Sequence, residues 1–149
     1  MDDRTVLVDA NVLLSATAPL RPLHRAALTV LNDWPNRGLL LAASVQVLRE
    51  YLVVATRPVE VNGLGLDIAD ALANVASFRA RMRVLVDSEP VWDRLQGLIV
   101  THGCKGKQIH DANIVASALT WGLPRLVTAN VGDFNRFAGE IEIIDLATL

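Results

Sequence analysis

Four acidic residues stand where the surrounding pattern gives a carboxylate chemistry to do. Asp9 directly follows Val6-Leu7-Val8, which is apolar on consecutive residues as a strand buried on both faces should be. That places Asp9 at the carboxyl end of a central strand, the edge at which open α/β sheets bind ligands, although the position also suits a helix cap. Asp111 shares a helical stripe with Ile114, Val115 and Ala118 and points towards the core. A carboxylate there is costly unless it is paired, hydrogen-bonded or bound to a cation; free N–H groups at a helix N-terminus would also satisfy it. Asp133 lies in Thr128-Ala129-Asn130-Val131-Gly132-Asp133-Phe134, just past another strand and at the same sheet edge as Asp9. Aspartate in a glycine-containing loop is equally ordinary turn chemistry. Glu50 is the weakest by pattern, because its helix turns Val45, Leu48, Leu52 and Ala55 inward and leaves it with Gln46 near the polar side. A solvated glutamate is the plainer reading, but a long side chain at the border of a buried face can reach over a cleft.

Converging on one edge, four carboxylates would repel one another unless divalent cations compensated them. Hard oxygen ligands suit Mg²⁺ or Mn²⁺, and such ions held by carboxylates and water serve phosphodiester hydrolysis by activating water and stabilising charge on the phosphate oxygens. Asn130 is placed to assist by a side-chain hydrogen bond or a water contact.

The elements that must bring these residues together follow from alternating short apolar runs and longer helical patterns, the mark of a parallel sheet flanked by helices. Strands are expected near Thr5–Val8, Leu39–Ala42, Arg83–Val86, Leu126–Thr128 and Glu142–Ile144. Helices are expected over Val12–Ala16, Pro22–Trp34, Ser44–Ala55, Asp67–Arg81, Pro90–His102 and Asp111–Trp121, with a short one near Asp133–Phe137. Ser88 with Pro90 reads as a cap and first turn, and Arg57-Pro58 as a helix end. The 149 residues fit one domain.

Composition narrows the class. Hydrophobic residues make up 52% and charged residues 20%, as in a folded globular chain. A mean hydropathy of +0.34 implies either a large core or apolar surface that a partner covers. No apolar run approaches the roughly 20 residues of a membrane helix, and the opening Met1-Asp2-Asp3-Arg4 is acidic where a secretory signal is basic and then apolar, so a cytoplasmic protein is expected. A single cysteine, Cys104, excludes an internal disulfide and multi-cysteine zinc sites. The net charge of −2 means that nucleic acid must be met by a local basic patch. The only lysines, Lys105 and Lys107, stand just before Asp111 beside Gly103 and Gly106; they are either guides for a phosphate backbone or a solvated loop.

Four segments taken in order resemble the PIN-domain family, most closely the VapC toxins of bacterial toxin–antitoxin pairs. They are Val8-Asp9-Ala10-Asn11-Val12-Leu13-Leu14; Leu48-Arg49-Glu50-Tyr51 with Thr56-Arg57-Pro58; Ile109 to Ala116 around Asp111; and Thr128-Ala129-Asn130 with Asp133-Phe134. The resemblance runs from about Thr5 to the end of the chain. It implies a three-layer α/β/α sandwich with a central, mostly parallel sheet and a Mg²⁺- or Mn²⁺-dependent endoribonuclease. It further implies a cognate VapB-type antitoxin and a homodimer. Asp9, Glu50, Asp111 and Asp133 fall on the family's catalytic, metal-binding acids, and Asn11 and Thr128 on supporting polar positions.

Other functions fit less well. An RNA-binding module that does not cut would favour basic and aromatic residues and gains nothing from clustered negative charge. A phosphoacceptor α/β domain would place a lysine after a late strand, and none occurs beyond Lys107. A PIN nuclease of RNA maturation, with no antitoxin, shares the whole acidic set; the compact, apolar chain favours the toxin. Apolar residues beyond one core-facing stripe, such as Val47, Tyr51 and Val54, suggest an antitoxin groove along the helices around Val12–Trp34 and Ser44–Ala55.

Overall fold

The computed structural model describes residues 3–149; Met1 and Asp2, half of the acidic N-terminal opening, lie outside the described residues. The chain runs β1 (Thr5–Val8), α1 (Ala10–Thr17), α2 (His24–Leu28), α3 (Trp34–Asn36), β2 (Leu40–Ser44), α4 (Val45–Thr56), α5 (Ile68–Arg81), β3 (Arg83–Leu85), α6 (Glu89–His102), α7 (Gln108–Thr120), β4 (Arg125–Thr128), α8 (Val131–Phe134) and β5 (Glu142–Asp145).

Among the described residues, five strands pair in parallel, in the order β3-β2-β1-β4-β5. β1 is central and each of its four residues is buried, as its uninterrupted apolar run requires. Parallel strands need crossovers, and these are right-handed. Because the chain steps from β1 outward to β3 and then returns to β4 and β5 on the other side, α1 to α5 cover one face and α6 to α8 the other. The result is the expected α/β/α sandwich. The order reverses between β1 and β4, and at such a switch point the loops after the two strands part and leave a crevice.

Local chemistry sets the element ends. Ser44 caps α4 by accepting from Val47 N at 3.2 Å. Ser88 takes the cap position of α6 with Pro90 in the first turn, as expected, but its hydroxyl makes no capping bond. Gly103 ends α6 in the left-handed conformation, φ +62°, where a side chain would be strained.

The single helix expected over Pro22–Trp34 is instead interrupted by a π-helical turn, Thr29–Asp33, before α3. Pro35 explains this: it lacks an N–H, and in a continuous α-helix its ring would strike the Leu31 carbonyl. Widening the turn moves that carbonyl away, with Trp34 N bonding to Thr29 O, five residues back.

Two details of burial correct the sequence expectation. On α4 the inward residues are Val47, Leu48, Tyr51 and Ala55; Val45 is exposed and Leu52 only partly buried. The helix packs on both α1 and α5, so its buried arc is wider and rotated from a single stripe. Val47 and Tyr51 therefore belong to the core and do not line a groove. The high mean hydropathy has two sources, a large core and exposed apolar side chains such as Leu20, Val53, Ile68 and Val100. No helix among the described residues is long and apolar enough to cross a membrane.

Candidate active site

The crevice at the switch point is a cleft of about 500 Å³ that gathers Asp9, Asn11, Glu50, Lys107, Asp111, Asn130 and Asp133, with Leu14, Val53 and Val54 as an apolar wall. Four separate segments contribute its acids: the end of β1, α4, the first turns of α7, and α8 after β4. A larger cavity, about 630 Å³, opens at the opposite end of β4 and β5 beside Pro124 and Glu142. It includes none of the four acids and lies away from the edge where parallel sheets place ligands.

Asp9 is at once a cap and a buried cleft acid. It is 5% exposed. Its Oδ1 accepts from Ala10 N at 2.8 Å, and its Oδ2 accepts from Thr128 Oγ1 at 2.7 Å and from Asn11 Nδ2 at 3.1 Å. Burial pushes its pKa up to about 6 from 3.8; the bonds from Thr128 and Ala10 oppose the rise, the charge of Glu50 adds to it, and Asn11 opposes it.

The supporting residues form a clamp between β1 and β4. Asn11 Oδ1 accepts from Ala129 N at 2.9 Å, and Asn11 Nδ2 donates to Thr128 Oγ1 at 3.2 Å. Thr128 Oγ1 also accepts from Asn130 N at 3.0 Å. Asn11 and Thr128 thus fasten the Asp9 carboxylate to the neighbouring strand. Asn130 joins through its backbone, while its side chain lines the cleft.

Asp111 is half-buried and stands in the first turn of α7, three residues after its start at Gln108 rather than at the cap. Among the described residues its carboxylate accepts no hydrogen bond, which removes the capping role left open by the sequence. Its pKa rises to about 6 through burial and through the charges of Asp133, Asp9 and Glu50, with His110 opposing. Asp133 is exposed at the cleft edge.

Glu50 is half-buried and not freely solvated. Gln46 Nε2 donates to Glu50 Oε1 at 2.8 Å and to the His110 carbonyl at 2.9 Å, and Gln46 Oε1 accepts from Asn113 Nδ2 at 2.7 Å. Gln46 and Asn113 escaped the sequence reading. The available signal was a glutamine four residues before Glu50, on the same helix face.

The two lysines separate. Lys107 occupies the cap position of α7 and lines the cleft. Lys105 does not; its backbone N–H donates to Gln108 Oε1 at 3.0 Å, an oxygen that also accepts from Arg136 Nη1 at 3.1 Å.

Among the described residues, no three acidic, histidine or cysteine side chains are drawn together closely enough to hold a metal ion as they stand. The donor set nonetheless fits a hard divalent cation, because all four acids offer oxygen. The pKa values of Asp9 and Asp111 are raised to about 6 by burial and by neighbouring carboxylates, a cost that a cation would remove.

The family model described as the PIN domain matches residues 6–140. No curated protein sequence matches the chain. Among solved structures it is similar to VapBC2 from Rickettsia felis bound to a DNA fragment from its promoter, at 17% identity and TM-score 0.67 over 95% of this chain and 98% of that one. A toxin–antitoxin complex from Klebsiella pneumoniae matches at 24% identity and TM-score 0.63 over 95% and 97%. VapC20 from Mycobacterium tuberculosis, a toxin that cleaves the sarcin–ricin loop, matches at 17% identity and TM-score 0.61 over 81% and 86%. At these identities the likeness carries the fold, and with a family model spanning nearly the whole sequence and the acids of four segments gathered at one sheet edge, the chain belongs to the PIN-domain family.

Proposed function

We propose that the protein is a Mg²⁺- or Mn²⁺-dependent endoribonuclease, the toxin of a VapBC-type pair, with Asp9, Glu50, Asp111 and Asp133 as its metal-binding catalytic acids. One observation carries this reading: acids from four distant segments line a single cleft at the switch point, and the pKa values of Asp9 and Asp111 are raised to about 6 by burial and by neighbouring carboxylates. A non-cutting RNA-binding surface has no use for such an arrangement, because clustered negative charge repels phosphate.

The side chains divide the work. Asp9, fixed by Thr128 and Ala10, and Glu50, fixed by Gln46, present oriented oxygens. Asp111 and Asp133 line the same cleft, and among the described residues neither carboxylate accepts a hydrogen bond. A bound Mg²⁺ or Mn²⁺ would activate water and stabilise charge on the scissile phosphate. Lys107 sets one positive charge at the cleft, where it meets a phosphate oxygen of the incoming strand. RNA as the substrate rests on the family resemblance and on the activity described for VapC20. A VapB-type antitoxin, covering the wall of Leu14, Val53 and Val54, and a second copy of the chain are the proposed protein partners.

The purified protein is expected to cleave RNA with Mn²⁺ or Mg²⁺ and to stop in excess EDTA. Undiminished cleavage in EDTA would overturn the proposal. In the same assay the neighbouring gene's product should arrest cleavage, and continued cleavage in its presence would remove it as the partner. Lys107→Ala should flatten the salt dependence of RNA binding by about one phosphate contact, and Lys105→Ala by none. Equal effects of the two would show that the whole loop, not Lys107, tracks the backbone.

A further inference from the structure

The cleft acids are held unequally. Asp9 draws on a backbone N–H and two side chains, whereas Glu50 takes its hydrogen bond from Gln46. Gln46 is 3% exposed, a depth at which an amide is unfavourable unless its polar atoms find partners. Here both N–H groups and one oxygen lone pair do. Glu50 Oε1 and the His110 carbonyl can only accept, so the amide nitrogen must face them and the oxygen must face Asn113.

Packing alone does not call for this residue. A leucine or methionine would fill a similar volume between α4 and α7 without any polar cost. What the amide adds is a link: it is anchored to α7 at two points, the His110 carbonyl and the Asn113 side chain, and from that anchor it holds one oxygen of Glu50. The other oxygen remains for a ligand. A neutral donor is also the suitable one, because a lysine or arginine at this depth would bring a positive charge that competes with a cation for the same carboxylates.

We propose that Gln46 is a positioning residue: it holds the Glu50 carboxylate at a fixed place relative to α7, and so to Asp111, such that both acids reach one divalent ion. This rests on the metal-dependent reading given above. Glutamate side chains on a helix surface otherwise sample several rotamers, and an ion site assembled from one would lose affinity to that freedom.

A double-mutant cycle read by Mn²⁺ affinity, from the electron paramagnetic resonance signal of free Mn²⁺, tests the proposal. Gln46→Met is expected to weaken Mn²⁺ binding about tenfold in the wild-type background, the lower end of losses seen when a group behind a metal ligand is removed. In a Glu50→Ala background the same change is expected to alter the affinity by less than about twofold, since Gln46 then has no ligand to hold. If Gln46→Met does not fold, Gln46→Asn, which keeps an amide but withdraws it by one methylene, enters the same cycle. An unchanged affinity in the wild-type background, or an equal loss in both, would overturn the proposal and leave Gln46 as a packing residue. A wild-type protein that binds no Mn²⁺ would overturn the metal centre itself, and the proposal with it; that result appears before any variant is made.

Discussion

Asp111→Asn is expected to lower the rate of RNA cleavage by about a thousandfold, the scale of several kcal/mol of lost metal-assisted stabilisation, and yet to raise the melting temperature of the metal-free protein. The two effects have one cause. The Asp111 carboxylate is pressed by Asp133, Asp9 and Glu50 and, among the described residues, accepts no hydrogen bond that an amide would lose. Removing its charge relieves repulsion that half-exposure has already screened, leaving about 1 kcal/mol, or a rise of roughly 2–4 °C for a domain of this size. Addition of Mn²⁺ should then raise the variant's melting temperature far less than the wild type's. A variant that melts well below wild type in EDTA would make Asp111 a structural residue. A variant that still cleaves at the wild-type rate would remove it from the site.

Asp9 separates less cleanly. An amide in its place could still accept from Ala10 N, but it would present hydrogens to Asn11 Nδ2, itself a donor. Asp9→Asn therefore combines lost charge with a lost fastening between β1 and β4, and its loss of activity is expected to come with a loss of stability on the order of 1–2 kcal/mol. Asp111 is the better probe of the charge alone.

The second large effect concerns pH. The Asp9 pKa is about 6 when folded against 3.8 when unfolded. Below about pH 3.8 both states carry the proton and its contribution to stability is fully present. As pH rises the unfolded chain releases the proton first, and the contribution is lost until pH passes about 6. For this buried group the change between pH 4.5 and 7 is about 2 kcal/mol, and the more exposed Asp111 adds a smaller amount in the same direction. Urea unfolding in EDTA should thus show stability falling across this window. Saturating Mn²⁺ should abolish the fall, because the ion binds the ionised carboxylates. Stability that rises from pH 4.5 to 7 in EDTA would contradict the buried, uncompensated state of Asp9.

Much of the fold was legible because the strongest signals are local. The Val6–Val8 run, with polar residues before it and Asp9 after, marks a strand buried on both faces, and β1, Thr5–Val8, adds only Thr5 to that run. What failed was decided by neighbours distant in sequence. The buried arc of α4 is rotated because α1 and α5 both press on it, which no period within the helix reveals. Gln46 looked like a surface residue since its partners, His110 and Asn113, lie 64 and 67 positions away. The π-helical turn was in principle readable from Pro35, but a proline at the end of a helical pattern more often just terminates it.

The site shows the same division. Asp9 and Asp133 were legible by address, at the ends of β1 and β4, and the switch point between those strands is what unites them. Asp111 was legible as an acid on an apolar stripe, although its capping alternative fell only when α7 proved to start three residues earlier. Glu50 was the least legible, because the glutamine that distinguishes it from a solvated glutamate is itself identified only by its contacts with α7. Lys105 and Lys107 could not be told apart by sequence, and only Lys107 lines the cleft.

Whether the four carboxylates together hold a divalent ion can be decided by calorimetric titration of Mn²⁺ into the wild-type protein and the Asp9→Asn, Glu50→Gln, Asp111→Asn and Asp133→Asn variants. Saturable binding is expected for the wild type and an affinity at least about tenfold weaker in each variant, since each removes one charged oxygen donor from the same cleft. Wild-type binding that persists undiminished in all four variants would place the ion elsewhere and contradict a site built from the four carboxylates.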